Sequence, residues 1–159
     1  MAKPSRLPSV RSEQTCFISF STYQKRSLFQ VDNLAELFVR VLFSYRDQSK
    51  FTLQAFVLMP DHFHLLITPG LRMTLERSIQ YIKGGFSHQV KVELGRNSEV
   101  WQRGFTDRRV RDRQEYLGVV DYIHQNPVEA RLVAEAKEYR YSSLNTEFRL
   151  DPPPPHLSG

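Results

Sequence analysis

Residues 58–68, LMPDHFHLLIT, place two histidines one residue apart at the start of an apolar run. The apolar segment 51–58 comes directly before a turn-like MPD, so the pattern predicts an antiparallel β-hairpin. Side chains alternate along a strand, which puts His62 and His64 on one face and Phe63 on the other. An imidazole on an apolar face needs a hydrogen-bond partner or loses solvation. The two histidines therefore point towards something on their shared face.

Hydrophobic periodicity outside the hairpin predicts two further strands and three helices. Asp32 is placed to cap the first helix, and Pro127 disfavours helical geometry in Asn126, where the last helix should end. The order predicts an α+β fold, a ferredoxin-like sandwich with an antiparallel sheet and helices packed mainly on one face. The predicted strands are 15–21, 51–58, 62–68 and 100–110, and the predicted helices are 31–45, 71–94 and 112–126.

The chain has 159 residues, which fits a single domain with a real core. We expect this domain at residues 15–148, between a flexible basic N-terminal segment, 1–14, and a flexible Pro-rich tail, 149–159. Gly84-Gly85 lies inside the second predicted helix, where each glycine costs about 1 kcal/mol relative to alanine. Either the helix breaks there or another element packs very close to it.

Composition excludes several classes of protein. The single cysteine rules out disulfides within the chain and a cysteine-based zinc site. No leader pattern is visible, and no apolar run approaches the roughly 20 residues of a membrane span. We therefore expect no membrane partner and a cytoplasmic location. The net charge of +5 is compatible with a polyanionic partner and proves none.

The segment 103–113, RGFTDRRVRDR, holds five arginines and two aspartates and follows Trp101. Arginine beside flat aromatic rings suits phosphate contact and base stacking on single-stranded nucleic acid. A solvated charged face with Trp101 in the core explains the same pattern equally well. The candidate phosphate contacts are Lys83, Arg103, Arg108, Arg109 and Arg111.

On a strand the two histidines lie about 7 Å apart and could bind one cation, although such a pair also occurs in ordinary hydrogen-bond networks. Tyr122 and Asn126, four residues apart in DYIHQNP, share one helical face. An asparagine oxygen is an acceptable ligand for a hard divalent ion, and a tyrosine hydroxyl could attack phosphorus. The alternative is a core tyrosine and a helix-capping asparagine.

Three segments together resemble the REP-associated tyrosine transposases, single-tyrosine enzymes built on the His-hydrophobic-His endonuclease fold. They are MPDHFHLLI, VWQRGFTDRRVRDRQEYLGVVDYIHQNPVEARLV and YSSL, and the resemblance spans roughly residues 15–144 in the family's order. It implies cutting and rejoining of single-stranded DNA beside a REP-like hairpin, with a divalent cation, Mg²⁺ or Mn²⁺. The products would be a 5′-phosphotyrosine and a free 3′ hydroxyl.

By position, the resemblance makes His62, His64 and Asn126 the metal ligands and Tyr122 the nucleophile, with Gln125 as a fallback ligand. It also implies a monomer rather than a homodimer. The family's glycine-containing start to the first strand is absent from RLPSVRSEQT, residues 6–15, which puts guide-sequence recognition in doubt. Two other classes stay open: a catalytically silent protein that binds hairpin or single-stranded DNA, and a metal-dependent hydrolase that uses water.

Overall fold

The computed structural model describes residues 14–158, so nearly all of the predicted N-terminal segment, 1–14, lies outside the described residues. Four antiparallel strands form one sheet in the order β2-β3-β1-β4. This order, with a helix in each of the connections β1–β2 and β3–β4, is that of a ferredoxin-like sandwich, as predicted. The elements are β1 (Cys16–Ser21), α1 (Asp32–Asp47), β2 (Phe51–Leu58), β3 (His62–Pro69), α2 (Leu75–Leu94), β4 (Thr106–Arg109) and α3 (Arg113–Glu129).

The predicted hairpin is confirmed, because β2 and β3 pair in antiparallel register across the turn at residues 59–61. Phe63 and Leu65 are fully buried on the face covered by α1 and α2. Leu66 is fully buried on the opposite face, in a cluster with Val119 and Ile123 of α3. Helices α1 and α2 thus share one face, and α3 packs on the face that carries the histidines.

Aromatic rings fill much of the core under α1 and α2. The Trp101 ring stacks on Phe20 with ring centroids 5.0 Å apart, and its Nε1 donates a hydrogen bond of 2.9 Å to the Lys83 carbonyl. Phe38 packs against Phe63 with centroids 4.4 Å apart. Of the two interpretations of Trp101, the core interpretation is therefore the one that the structure bears out.

Two predictions about helix ends are wrong: the cap of α1 by Asp32 and the end of α3 at Asn126. The N-cap of α1 is Val31, without a side-chain cap, and Asp32 instead accepts a hydrogen bond of 3.3 Å from the Tyr141 hydroxyl. Helix α3 continues through Pro127 to Glu129. Proline removes one backbone donor from the helix. Here its ring is buried in the domain, and tertiary packing overrides the local preference.

Two glycine positions bear on the predicted elements, one in α2 and one before β4. Helix α2 runs unbroken through Gly84 and Gly85, and a Cβ on Gly85 would lie 2.6 Å from the Tyr45 ring. Close packing, rather than a helix break, is thus the outcome of the two predicted alternatives. Gly104 has φ +83°, a conformation that side-chain-bearing residues rarely adopt, and β4 begins only after it. The strand expected from residue 100 is shortened accordingly.

The Pro-rich segment, expected to be a flexible tail, lies against the domain through residue 158. The Asp151 carboxylate forms an ion pair of 2.8 Å with Arg46 of α1 and accepts a hydrogen bond from the Leu53 N–H. Leu157 is fully buried in the cluster beneath α3. The tail therefore passes around the outer edge of β2 from one face of the sheet to the other. A salt bridge and a buried leucine supply the contacts that a polyproline segment cannot make with itself.

Candidate active site

Helix α3 brings the two parts of the predicted site together. Its buried Val119 and Ile123 pack on Leu66 and Val57 of the sheet, which sets the outward part of the helix beside the start of β3. A cleft of about 520 Å³ opens there. The residues that line it are Ser19, Phe20, Ser21, Lys25, Met59, His62, His64, Thr106, Tyr122, Asn126, Glu129 and Ala130.

One nitrogen of each histidine is already held by the protein. His62 Nδ1 lies 2.7 Å from the Asp61 carboxylate, and His64 Nδ1 lies 2.6 Å from the Ser19 hydroxyl. The ring centroids are 5.0 Å apart. A carboxylate or hydroxyl partner on one ring nitrogen commonly orients a histidine whose other nitrogen binds a metal. Among the bonds of the described residues, Nε2 of each ring remains available.

The His64 imidazole also has the protonation state that cation binding needs. Burial, and secondarily the proximity of His62, lowers the pKa of His64 to about 4. The His64 ring is therefore neutral at neutral pH and keeps a lone pair for a cation. Asn126 adds an amide oxygen from the helix side of the cleft. Two imidazole nitrogens and an amide oxygen form a chemically suitable donor set for a divalent ion.

Tyr122 stands on the same wall of the cleft as Asn126. Its side chain is 52% exposed, and its ring meets His64 edge-on with centroids 5.5 Å apart. Asn126 lies within α3, a turn before its end at Glu129, and not at a cap. The alternative of a core tyrosine with a capping asparagine is therefore wrong. Gln125, the fallback ligand, does not line the cleft.

The predicted DNA contacts divide between several places. Arg108 of β4 lies opposite Phe17 of β1, on the face of the cleft, and its guanidinium is 5.9 Å from the Phe17 ring centroid. Arg109 lies opposite Cys16 and points to the other face of the sheet. Arg103 precedes β4 in the chain and Arg111 follows it, and both side chains are exposed. Of the two arginines on β4, Arg108 is the one that shares a face with Tyr122.

Lys83 has a different environment from the arginines. Its ammonium donates hydrogen bonds of 3.0 Å to the carbonyls of both Gln102 and Gly104. Burial lowers the pKa of this lysine. These contacts give Lys83 a structural function in holding the segment before β4, and a DNA contact by Lys83 stays a prediction.

Several cleft residues were not found from the sequence, and three of them, Ser19, Glu129 and Lys25, carry polar or charged groups into the site. Ser19 is paired with His64 across β1 and β3, and a strand register of this kind has no local signal. Glu129 lies seven residues after Tyr122 and shares its helical face, but the expected helix end at Asn126 excluded it. Lys25 comes from the turn after β1, far in sequence from the predicted site residues on β3 and α3.

Comparison with known proteins adds the family. A family model described as Transposase IS200 like matches residues 12–126. The chain belongs to this family. Two curated relatives carry the words REP-associated tyrosine transposase in their names. One, from Haemophilus influenzae, is 31% identical over 107 residues, and the other, from Escherichia coli, is 25% identical over 134 residues.

The match spans 61% of this chain and 61% of the Haemophilus relative, and 84% of this chain and 78% of the Escherichia relative. A solved structure of a REP-associated tyrosine transposase bound to a REP hairpin superposes on the present chain with a TM-score of 0.74. It is 22% identical and covers 96% of this chain and 89% of that chain. At this identity the superposition shows a shared fold.

Within residues 14–158, no group of three or more His, Cys, Asp and Glu side chains is arranged to hold a metal ion. The donor set described above contains only two such residues and depends on an asparagine for its third ligand. In the same part of the chain, no helix combines the length and the apolar character that a bilayer span needs.

Proposed function

We propose that this chain is a metal-dependent single-stranded DNA endonuclease and strand transferase that works through a covalent 5′-phosphotyrosine. The observation that carries the proposal is the cleft, which holds an exposed tyrosine beside two oriented histidines and an asparagine. Membership of the IS200-like transposase family supports the same chemistry. Because every one of these side chains comes from a single chain, the proposed site is complete in a monomer.

Tyr122 acts as the nucleophile in this proposal. Its hydroxyl oxygen loses its proton and forms a bond to the scissile phosphorus, while the bond from phosphorus to the 3′ oxygen breaks and that oxygen takes up a proton. The 5′ end is then joined to the enzyme as a phosphotyrosine. Attack by a 3′ hydroxyl reverses the step and reseals DNA without ATP, since the phosphodiester energy is retained.

His62, His64 and Asn126 are proposed to hold a divalent cation, Mg²⁺ or Mn²⁺. When bound, the cation supplies Lewis-acid stabilisation of the charge that develops on the phosphoryl oxygens. The protein prepares for this through Asp61 and Ser19, which orient the two imidazoles. The side chain of His64 stays neutral, as its lowered pKa requires.

The substrate that we propose is single-stranded DNA next to a REP-like hairpin. The names of the two relatives and the hairpin bound to the structural neighbour support this choice. The exposed arginines around β4 supply positive charge near the cleft, with Arg108 on the cleft's own face. Such a substrate places the protein in the cytoplasm, at the nucleoid when DNA is bound.

The test uses an oligonucleotide with a REP-like hairpin and single-stranded flanks, incubated with Mg²⁺ or Mn²⁺. We expect a protein–DNA adduct that survives denaturation, together with a fragment ending in a 3′ hydroxyl. The substitution Tyr122→Phe should abolish the adduct, at least about a thousandfold, because the nucleophilic oxygen is lost. Peptide mapping of the adduct should identify Tyr122.

Tyr116→Phe is the matched control, since Tyr116 lies on the same helix, α3, and does not line the cleft. It should form adduct at the parent rate. Cleavage by Tyr122→Phe at the parent rate would contradict the proposal and favour hydrolysis by water. Binding of the oligonucleotide by the parent without any cleavage would indicate a binding protein instead.

A further inference from the structure

We propose that Lys25 contacts the scissile phosphate and neutralises part of its charge during attack by Tyr122. This assignment rests on the proposed function and adds a catalytic residue to it. Lys25 lines the same cleft as Tyr122, His64 and Asn126, although it lies some hundred residues from the helix that carries the nucleophile. Neither its position in the sequence nor a motif singles it out.

The backbone around Lys25 is unusual. Gln24 and Lys25 have φ angles of +55° and +56°, so two consecutive residues with side chains adopt the left-handed region. Residues other than glycine rarely adopt this conformation, and usually singly. Strained backbone of this kind persists where the surrounding structure enforces it, and it occurs preferentially at functional sites.

The turn that holds Lys25 is enforced from two sides. The Tyr23 N–H donates a hydrogen bond of 2.9 Å to the Val100 carbonyl. On the other side, the N–H of Thr22 donates one of 2.9 Å to the carbonyl of Asp61, the residue whose carboxylate orients His62. The buried Thr22 hydroxyl lies 3.1 Å from the same carbonyl and 2.6 Å from the Arg26 carbonyl.

These bonds have a consequence for the position of Lys25. The turn and the start of the histidine strand are both anchored at Asp61, so the backbone of Lys25 keeps a constant position relative to His62. A glycine at either strained position would relieve the backbone, but only a side-chain-bearing residue at position 25 supplies a charge to the cleft. The sequence retains lysine there in spite of the strain.

The charge on Lys25 is available to a ligand. Among residues 14–158, no carboxylate or other acceptor is paired with its ammonium group. A lysine ammonium is a compact charge with three donors on a flexible stem, and lysines of this kind bind phosphate groups. A phosphodiester that enters the cleft to meet Tyr122 therefore meets the ammonium of Lys25 as well.

The first test compares Lys25→Gln with Lys25→Arg and with Lys91→Gln, which removes an equal charge from an exposed position on α2 across the sheet. The measured quantity is the single-turnover rate of adduct formation on the hairpin oligonucleotide. We expect about a hundredfold loss for Lys25→Gln, partial recovery for Lys25→Arg and less than a twofold change for Lys91→Gln. Equal rates for Lys25→Gln and Lys91→Gln would overturn the assignment.

The second test measures the contact without chemistry. In the Tyr122→Phe background, affinity is measured for oligonucleotides with either a phosphate or an uncharged methylphosphonate at the mapped cleavage position. Neutralising this one position should weaken binding when Lys25 is present and should change it less than twofold when Lys25→Gln is also present. An equal loss in both proteins would show that Lys25 does not contact this phosphate.

The two tests separate this assignment from the function on which it rests. If the parent forms a Tyr122 adduct and Lys25→Gln forms it equally fast, only the assignment of Lys25 fails. If the parent forms no adduct at all, the proposed function fails. Thermal unfolding of Lys25→Gln should match the parent, because the side chain is exposed.

Discussion

On the face of the sheet under α1 and α2, Phe63 and Leu65 of β3 are fully buried among aromatic and aliphatic side chains. On the face under α3, the same strand carries His62 and His64 beside a smaller apolar cluster and an open cleft. The side-chain alternation of one strand thus assigns stability to one face and the candidate chemistry to the other. Substitution of Phe63 should therefore mainly lower the stability of the fold, whereas substitution of the adjacent His62 should mainly lower activity.

The largest expected effect on stability comes from Phe63→Ala. This substitution opens a cavity in the aromatic core and should lower the free energy of unfolding by about 3–5 kcal/mol, measured by urea denaturation. Adduct formation should fall only because less protein is folded. A loss below about 1 kcal/mol would mean that the face under α1 and α2 contributes less to stability than its burial indicates.

His62→Asn tests the residue before Phe63 on the same strand, whose side chain lies on the other face. The His62 side chain is partly exposed, so we expect a change in the free energy of unfolding within about 1 kcal/mol. Adduct formation in Mn²⁺ should fall about a hundredfold or more, and stabilisation of the fold by Mn²⁺ should disappear. An unchanged thermal shift with Mn²⁺ would place the cation elsewhere.

Ser19→Ala separates orientation of a histidine from cation binding itself. Loss of the hydroxyl that holds His64 Nδ1 should reduce Mn²⁺ affinity about ten- to a hundredfold, as measured by titration calorimetry. Ser21→Ala is the matched control, because Ser21 lines the cleft from the same face of β1, while the described hydrogen bonds of the histidine rings go to Ser19 and Asp61. Equal affinities for the two variants would contradict an orienting role for Ser19.

The smallest expected effect concerns the C-terminal tail, which passes around the edge of β2 and contacts both faces of the sheet. Burial raises the pKa of the Asp151 carboxyl, but its bonds to Arg46 and to the Leu53 N–H outweigh burial and leave the pKa below its ordinary value. A carboxyl group of this kind stabilises the fold above its unfolded pKa, near about 3.9, and loses that contribution as pH falls through its folded pKa.

The substitution Asp151→Asn should therefore cost about 1 kcal/mol of unfolding free energy at pH 7, because the charge is lost and part of the hydrogen bonding is kept. The difference from the parent should shrink below about pH 4, since the parent carboxyl is then also protonated. Urea denaturation across this pH range measures it. A difference that stays constant with pH would mean that the ion pair with Arg46 contributes nothing.

Local patterns predicted much of this architecture. The hairpin strands were expected at 51–58 and 62–68 and are found at Phe51–Leu58 and His62–Pro69, because alternation and turn chemistry act over a few residues. The four-residue spacing of Tyr122 and Asn126 likewise specified a shared helical face. Predictions that depended on a single residue failed at Asp32 and Pro127, where Tyr141 and burial in the domain replaced the local preference.

The sequence by itself determined the strand and helix order, the common face of His62 and His64, and the pairing of Tyr122 with Asn126, since each depends on periodicity within one element. Only the tertiary structure decided that α3 packs on the histidine face, that Ser19 holds His64, and that Lys25 and Glu129 reach the same cleft. These contacts join segments far apart in the chain. Strand register and packing of distant elements set them, and no short sequence pattern encodes either.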